Sequence, residues 1–396
     1  MKSKHLFLSL AALILSGQIM ASEKPNILLF LMDDMGYSDC RVYNPDSKVA
    51  MPHLEKMARD GLVFTDAHSP SAVCAPTRYS VLTGNYPWRG RNENGTWLFH
   101  MASQVMPGQK TMGQLMQSAG YETAFLGKVH LGGTVLSRKT GKPKRWLEGG
   151  HQDFDFSKPI QDTPASFGFD YAYELPQGIQ GPPYLAFENG MLVGKPEELK
   201  IWEKGTYGKS VIDVTGFGSP DWDSSQAGPI LTEKALGFLD QRSKDKPFFL
   251  YYASQSCHVP HSPPETLNGQ QVAGAAADTH LDMLVEADLT LGAMISALEK
   301  SGDLDNTLII FTSDNGGLSR GRMTPRGPEG GHDSCAGLRG SKALIFEGGH
   351  RVPFIARWGK EIKAGTETGA LVGLQDLHAT AAEMSGQTMQ SAEGLD

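Results

Sequence analysis

Short runs of apolar residues alternate along the chain with longer segments in which apolar residues recur every three or four positions. Continuous apolar runs are typical of strands buried on both faces, whereas the longer spacing is typical of helices with one buried side. Strands are therefore predicted at residues 27–32, 123–126, 248–253 and 307–312, and helices at 230–241 and 280–301. Alternating strands and helices predict an α/β fold with a mainly parallel central sheet flanked by helices.

Each predicted strand is followed closely by side chains suited to chemistry. In order along the chain these are Asp33, Asp34, Lys128, His130, His258, Asp314 and Asn315. In open α/β sheets, ligands bind beyond the carboxyl ends of the strands, so these side chains are expected to meet in one crevice. The carboxylate and amide oxygens among them suit calcium or magnesium rather than zinc.

Taken singly, these residues have ordinary explanations. The sequence from Ser313 to Gly316 is more often a simple turn than a metal site. Asp33 and Asp34 could be solvated loop residues, and His258 could be a core histidine with a satisfied partner. Their repeated placement after strands is what favours a common site.

The segment from Ser71 to Gly84 is the most informative stretch. Pro76 near its start and Gly84 at its end predict a short helix that begins around Cys74. Helical spacing places Arg78 one turn from Cys74 on the same face, and a helix N-terminus favours a bound anion. For an isolated cysteine, a buried thiol or half of a disulfide would be the more common interpretation.

Composition narrows the function further. The 396 residues carry a formal net charge of −8, so the chain is a poor general binder of nucleic acid or anionic membranes. An anionic substrate would need a local group of positive side chains. Arg78, Lys128, His130, His258 and Lys342 are the candidates for that group.

The N-terminus resembles a secretory signal peptide. Lys2 and Lys4 precede an apolar run at residues 6–15, and the small residue Ala21 precedes Ser22. This pattern predicts a signal peptide over residues 1–21, export to the periplasm or the extracellular space, and no stable membrane anchor. For an exported chain with four cysteines, two disulfides are the default expectation. If Cys74 is consumed chemically, three cysteines remain and at least one stays unpaired, and the pairing stays open.

Cys74-Ala75-Pro76-Thr77-Arg78, followed by Leu82-Thr83-Gly84, resembles the signature of the formylglycine-dependent sulfatases. Five further segments resemble that family in the same order: residues 24–36, 127–132, 311–316, 338–349 and 351–354. The resemblance implies an alkaline-phosphatase-like catalytic domain over residues 22–390. It also implies that residues 391–396 begin a C-terminal antiparallel subdomain that is otherwise missing.

The resemblance also implies a chemistry and a set of roles. Cys74 would be oxidised to formylglycine by a formylglycine-generating or sulfatase-maturating enzyme, and its hydrate would attack the sulfur of a sulfate ester. The implied ligands of a calcium ion (with magnesium as the alternative) are Asp33, Asp34, Asp314, Asn315 and the modified Cys74. The implied catalytic residues are Arg78 and Lys128, which polarise the hydrate, His130, which takes its proton, and His258 and Lys342, which bind sulfate. Either His258 or Lys342 would protonate the departing alcohol.

Sulfated carbohydrates and aryl sulfates are the expected substrates, and residues 138–229 are the candidate region for selecting between them. Two other functions remain open at this point. One is a formylglycine-dependent hydrolase of phosphonate monoesters or phosphodiesters, and the other is an inactive protein that binds sulfated glycans.

Overall fold

A computed structural model describes residues 24–145, 151–318 and 331–387 of the chain. The predicted signal peptide at residues 1–21 and the predicted subdomain start at residues 391–396 lie outside these ranges. Both therefore stay predictions, as does the extent of the catalytic domain over residues 22–390.

The strands of the described chain are numbered in chain order. They are β1 Asn26–Met32, β2 Leu62–Phe64, β3 Ala67–His68, β4 Glu122–Lys128, β5 Val135–Leu136, β6 Pro143–Lys144, β7 Tyr171–Ile179, β8 Phe187–Glu188, β9 Met191–Leu192, β10 Lys200–Trp202, β11 Gly205–Tyr207, β12 Ser210–Ile212, β13 Gly216–Gly218, β14 Phe248–Ala253, β15 Thr266–Leu267, β16 Gln270–Gln271, β17 Thr307–Ser313, β18 Phe354–Arg357, β19 Thr366–Thr368 and β20 Val372–Gly373. The α-helices are α1 Pro52–Arg59, α2 Cys74–Thr83, α3 Met112–Ser118, α4 Ala227–Gln241, α5 Thr279–Ser301, α6 Glu347–His350 and α7 Asp376–Met384.

Ten strands form one central sheet in the order β19-β2-β18-β17-β1-β14-β4-β7-β8-β9. Its five middle strands, β17, β1, β14, β4 and β7, are mutually parallel, and antiparallel strands flank them on both sides. The register aligns the carboxyl ends: Met32 pairs with Ser313, and Ala253 pairs with both Leu31 and Gly127. The residues that follow these strands therefore emerge at the same edge of the sheet.

Two helical layers cover the faces of the sheet. Leu28 and Phe30 of β1 face a core shared with α1, α4 and α5, whereas Leu29 and Leu31 face a core shared with α2, α3 and α7. Because both faces of β1 are covered, all seven of its residues are buried. This two-sided burial explains why the central strands appear in the sequence as continuous apolar runs.

The predicted fold class is confirmed: the chain is α/β, with a large, mostly parallel central sheet between helices. The expectation of two disulfides is wrong, because all four cysteines are buried free thiols. Among the residues that the structure describes, no helix has the length and apolarity needed to cross a membrane.

Candidate active site

The ends of β1 and β17 bring three carboxylates together. Asp33 and Asp34 follow β1, and Asp314 follows β17. The Asp314 backbone N–H donates to the Met32 carbonyl at 3.1 Å. The Asp34 backbone N–H donates to Asp314 Oδ1 at 3.2 Å. All three carboxylates are buried, each with 1% or less of its surface exposed. The sheet register thus places residues separated by 280 positions side by side.

Helix α2 supplies the candidate nucleophile and a guanidinium. Cys74 is its first residue, and Gly84 ends it in the left-handed conformation, as the sequence predicts. Arg78, one turn along, donates from Nε to Asp314 Oδ2 at 2.9 Å and from Nη1 to the Lys128 carbonyl at 3.1 Å. Its Nη2 lies 2.7 Å from the same Asp314 oxygen as an ion pair. These bonds tie the nucleophile helix to the ends of β17 and β4.

Lys128 and His130 come from the end of β4. Lys128 Nζ donates to Asp33 Oδ2 at 2.7 Å and to Gln180 Oε1 at 2.5 Å. His130 has a positive φ of 54°, and its Nδ1 lies 3.3 Å from Cys74 Sγ. The turn after β4 therefore points one basic side chain at a carboxylate and another at the nucleophile.

Lys342 reaches the site from a loop that is bonded to the start of α2. The backbone N–H of Ala343 donates to the Ala72 carbonyl at 2.8 Å, and Lys342 N–H donates to the Gly317 carbonyl at 2.9 Å. Lys342 Nζ lies 2.6 and 2.7 Å from the two oxygens of Asp34. This loop thus brings a second lysine to the carboxylates, on Asp34, as Lys128 does on Asp33.

His258, beyond β14, completes the group. Its Nδ1 donates to the Val259 carbonyl at 2.5 Å, and its Nε2 lies 3.6 Å from Asp34 Oδ2. Since Nδ1 carries the hydrogen in this arrangement, the neutral ring presents an unprotonated Nε2 to the site. Each predicted site residue therefore lies within one buried group of side chains.

The charges of these groups depend on each other. Burial alone would raise the pKa of Asp33, but the charges of Lys128 and Arg78 outweigh it, and the pKa is lowered. Burial likewise opposes the charge of Lys342, yet Asp34 raises its pKa above the usual range. Both side chains are therefore charged at neutral pH.

The two histidines are neutral at that pH. Burial, reinforced by Lys342, lowers the pKa of His258 to about 4. Burial, reinforced by Lys128 and Arg78, lowers the pKa of His130 well below its ordinary value. Burial also raises the pKa of the Cys74 thiol, so an unmodified Cys74 would be a poor nucleophile at neutral pH.

The acidic side of the site fits a hard cation. Oxygens of Asp33, Asp34 and Asp314 lie within 4.8 Å of one another. Asp33 Oδ1 and Asn315 Oδ1 are buried without a hydrogen-bond partner. The Asn315 side chain is held by its amide nitrogen, which donates to Asp34 Oδ1 and to the Gly316 carbonyl. Unpaired buried oxygens are costly, and an all-oxygen set of this kind is what calcium and magnesium prefer.

Two polar residues in contact with the site were missed in the sequence. Gln180 follows β7 and accepts the hydrogen bond from Lys128, and Glu286 of α5 accepts from Ser256 Oγ and Gln255 Nε2 in the segment that leads to His258. The position of Gln180 after a strand was the available signal, but Pro176 and Gly178 interrupt the pattern of β7. Glu286 gives no local signal, because it lies within an ordinary helical pattern.

Comparison with known proteins gives consistent matches. The sulfatase family profile matches residues 25–386. The N-acetylgalactosamine-6-O-sulfatase of Bacteroides thetaiotaomicron is 31% identical over 409 residues, covering 93% of this chain and 74% of that protein. Human N-acetylgalactosamine-6-sulfatase and human arylsulfatase A are each 29% identical, and the chain covers 65% and 69% of their lengths.

Solved structures agree with the sequence matches. A sulfatase structure from a study of glycosaminoglycan metabolism by Bacteroides thetaiotaomicron superposes with a TM-score of 0.78 at 28% identity, covering 95% of this chain and 80% of that one. The phosphonate monoester hydrolase of Agrobacterium radiobacter superposes with a TM-score of 0.55 at 18% identity, a likeness of fold alone.

Proposed function

Because the chain belongs to the sulfatase family and is a sulfuric ester hydrolase, we propose that it cleaves sulfated carbohydrates with a nucleophile made from Cys74. The observation that carries this proposal is the position of Cys74. Its sulfur lies at the start of α2, 3.3 Å from His130 and within 4.8 Å of ligand atoms of Asp33 and His258. Relatives named for N-acetylgalactosamine 6-sulfate support a carbohydrate substrate.

We propose that Cys74 is oxidised to formylglycine by a maturating enzyme, so that Sγ marks the place of the aldehyde oxygen. The hydrated aldehyde supplies a hydroxyl that can attack sulfur and a second one whose loss of a proton releases sulfate. Arg78 and Lys128 lie beside residue 74, where they are held by their hydrogen bonds to Asp314 and Asp33 respectively. Neutral His130 is placed to accept a proton from residue 74 when its own hydrogen is on Nε2.

We propose that Asp33, Asp34, Asp314 and Asn315 hold a calcium ion together with residue 74. A divalent cation there would offset the negative charge that develops on the sulfate oxygens. The positive groups of the site already pair with these carboxylates, so the ion and the substrate sulfate would together rearrange those pairs. In particular, sulfate would compete with Asp34 for Lys342.

Removing calcium is expected to abolish most of the activity and to lower the thermal midpoint of unfolding. The reason is that an ion bound only by the folded chain stabilises that state, and that without the ion the charge on the sulfate oxygens is no longer offset. Activity and thermal midpoint should be measured after treatment with a chelator and after stepwise return of calcium or magnesium. Full activity in thoroughly depleted protein, with metal content verified by mass spectrometry, would contradict the calcium proposal.

We propose Lys342, rather than His258, as the group that protonates the departing alcohol. Lys342 is charged at neutral pH, whereas His258 is neutral and has no hydrogen on the nitrogen that faces the site. Both residues would contact the sulfate, but only Lys342 arrives with a proton to give.

This assignment predicts a dependence on the leaving group. Lys342→Ala should lower kcat on both substrates. The loss on a sugar sulfate should exceed the loss on nitrophenyl sulfate by about 100-fold or more. Nitrophenolate is a stable anion that can leave without a proton, so this substrate reports only the loss of sulfate binding. His258→Gln serves as the matched control and should affect both substrates equally. Equal losses on both substrates for Lys342→Ala would remove Lys342 from the acid role.

We also infer that the protein is exported, which rests on the signal-like pattern of residues 1–21. An N-terminal peptide that begins at Ser22, in protein from its native host, would support this, and an intact Met1 to Ala21 segment would contradict it.

A further inference from the structure

A second group of metal-binding side chains lies behind the catalytic residues. It consists of Asp39, Cys257 and His280, and we refer to it as the rear cluster. Asp39 follows β1, Cys257 follows β14, and His280 lies in the first turn of α5. All three are buried, with 1% or less of their surface exposed. The sulfatase chemistry proposed above uses none of them.

The ligand atoms of the rear cluster face one another. His280 Nε2 lies 3.6 Å from Asp39 Oδ1 and 3.8 Å from Cys257 Sγ, and all three atoms lie within 4.8 Å of each other. Tetrahedral zinc, with bonds of about 2.0–2.3 Å, holds its nitrogen, oxygen and sulfur ligands about 3.3–3.7 Å apart. The two separations from His280 Nε2, 3.6 and 3.8 Å, are close to those edges, and the third lies within 4.8 Å.

His332 has a different part in this cluster. Its Nε2 lies 2.7 Å from Asp39 Oδ1, and its Nδ1 accepts from the Lys48 backbone N–H at 3.4 Å. With Nδ1 as acceptor, Nε2 carries the hydrogen and donates it to Asp39. The Gly36 backbone N–H donates to the other Asp39 oxygen at 2.6 Å. Both contacts orient the carboxylate, as hydrogen bonds to metal-bound carboxylates commonly do.

Charge and ligand type select the ion. A thiolate and a carboxylate balance a divalent cation, so the buried site would be neutral with two charged ligands and a neutral imidazole. Sulfur and nitrogen ligands favour zinc over calcium or magnesium, which prefer all-oxygen sites. The rear cluster therefore differs in chemistry from the oxygen-rich catalytic site.

We propose that Asp39, Cys257 and His280 bind a zinc ion, with His332 orienting Asp39. The ion would join the segments after β1 and β14 to the start of α5. Its site is coupled to the catalytic site through the backbone, because the Cys257 N–H donates to the Asp33 carbonyl at 2.6 Å. The bound ion would thereby hold the segment that carries Asp33 in place relative to the one that carries His258.

The test uses full-length protein loaded with zinc or cobalt and then freed of loose metal by gel filtration. Wild-type protein should retain near-stoichiometric zinc by inductively coupled plasma mass spectrometry. Its cobalt form should show a near-ultraviolet sulfur-to-cobalt charge-transfer band. Cys257→Ser should lose the band and most of the zinc, and His280→Gln should retain much less metal.

Two cysteine variants serve as matched controls. Cys74→Ser removes the thiol next to Asp33 and His258, and Cys40→Ser removes a buried thiol outside both metal-binding groups; both should keep the band. A band lost in Cys74→Ser but kept in Cys257→Ser would overturn the proposal, since the ion would then lie at the catalytic site. Wild-type protein without zinc and without the band would also overturn it and would leave only a thiol–imidazole–carboxylate network. This wild-type measurement decides the question even if Cys257→Ser does not fold.

Discussion

Cys74→Ala is expected to abolish sulfate-ester hydrolysis while leaving the fold intact. Cys74 is only 2% exposed, and the change to alanine removes one sulfur atom without adding bulk. Loss of a covalent nucleophile typically lowers kcat by about ten-thousand-fold or more. The measurement is kcat on a sugar sulfate and on nitrophenyl sulfate, with circular dichroism and thermal unfolding to establish that the variant is folded.

Cys40→Ala is the matched control for that experiment. Cys40 is also a fully buried free thiol, but it lies outside the catalytic group, so its loss should leave kcat within about threefold. A folded Cys74→Ala variant that kept activity within about tenfold of wild type would show that residue 74 is not the nucleophile.

Arg78→Leu should cause the second large effect, on stability as well as activity. The guanidinium is 2% exposed, and its pKa is raised because Asp314 and Asp33 outweigh the effect of burial. It donates one hydrogen bond from Nε to Asp314 Oδ2, and its Nη2 lies 2.7 Å from the same oxygen. Its removal leaves Asp314 buried without its main partner. Breaking a buried ion pair in this way costs about 3–5 kcal/mol in the free energy of unfolding, which denaturant titration of calcium-free protein would measure.

Arg357→Leu is the comparison variant, because Arg357 bonds to Asp305, a carboxylate that is 70% exposed. An exposed pair of this kind contributes about 1 kcal/mol or less. Adding Asp314→Asn to Arg78→Leu should restore part of the lost stability, since the unpaired charge is then removed. If Arg78→Leu cost no more than Arg357→Leu, the buried pair would not stabilise the site as described.

The fold was predictable from the sequence where burial is two-sided. Strands β1, β4, β14 and β17 are covered by helices on both faces, so their sequences are continuous apolar runs with few alternatives. Strand β7 also belongs to the parallel core of the sheet, yet it was not predicted, because it includes Glu174, Pro176, Gln177 and Gly178. Its polar positions are satisfied by contacts that only the folded chain provides, such as those of Glu174 with Thr163 and Ala165.

The site was predictable where it depends on strand ends. Parallel register carries Asp33, Lys128, His258 and Asp314 to one edge of the sheet, so their order in the sequence was enough to bring them together. The contacts of Gln180 and Glu286 depend instead on how loops and α5 pack, which short-range patterns do not encode. The same holds for the rear cluster, whose members come from three distant segments and form no motif in sequence.

The region from residue 138 to 229, predicted to select the substrate, contributes β7, β8 and β9 to the main sheet, and its other strands form short two-stranded sheets. These are the pairs β10-β13 and β11-β12, together with β6 and its partner β5. Gln180 lies within this region and touches Lys128 directly. This hydrogen bond connects the region to the catalytic group. That the region selects the substrate stays a prediction.

The central claim is that residue 74 becomes the nucleophile by conversion of its cysteine to formylglycine. Trypsin cleaves after Arg59 and Arg78, so residues 60–78 form one peptide that contains Cys74. Mass spectrometry of this peptide, from protein isolated from its native host and treated with a thiol-alkylating reagent and a carbonyl-reactive hydrazide, distinguishes the two states. The account predicts a peptide that carries an aldehyde, reacts with the hydrazide and is not alkylated at residue 74. A fully alkylated cysteine at this position, in protein that hydrolyses sulfate esters, would contradict it.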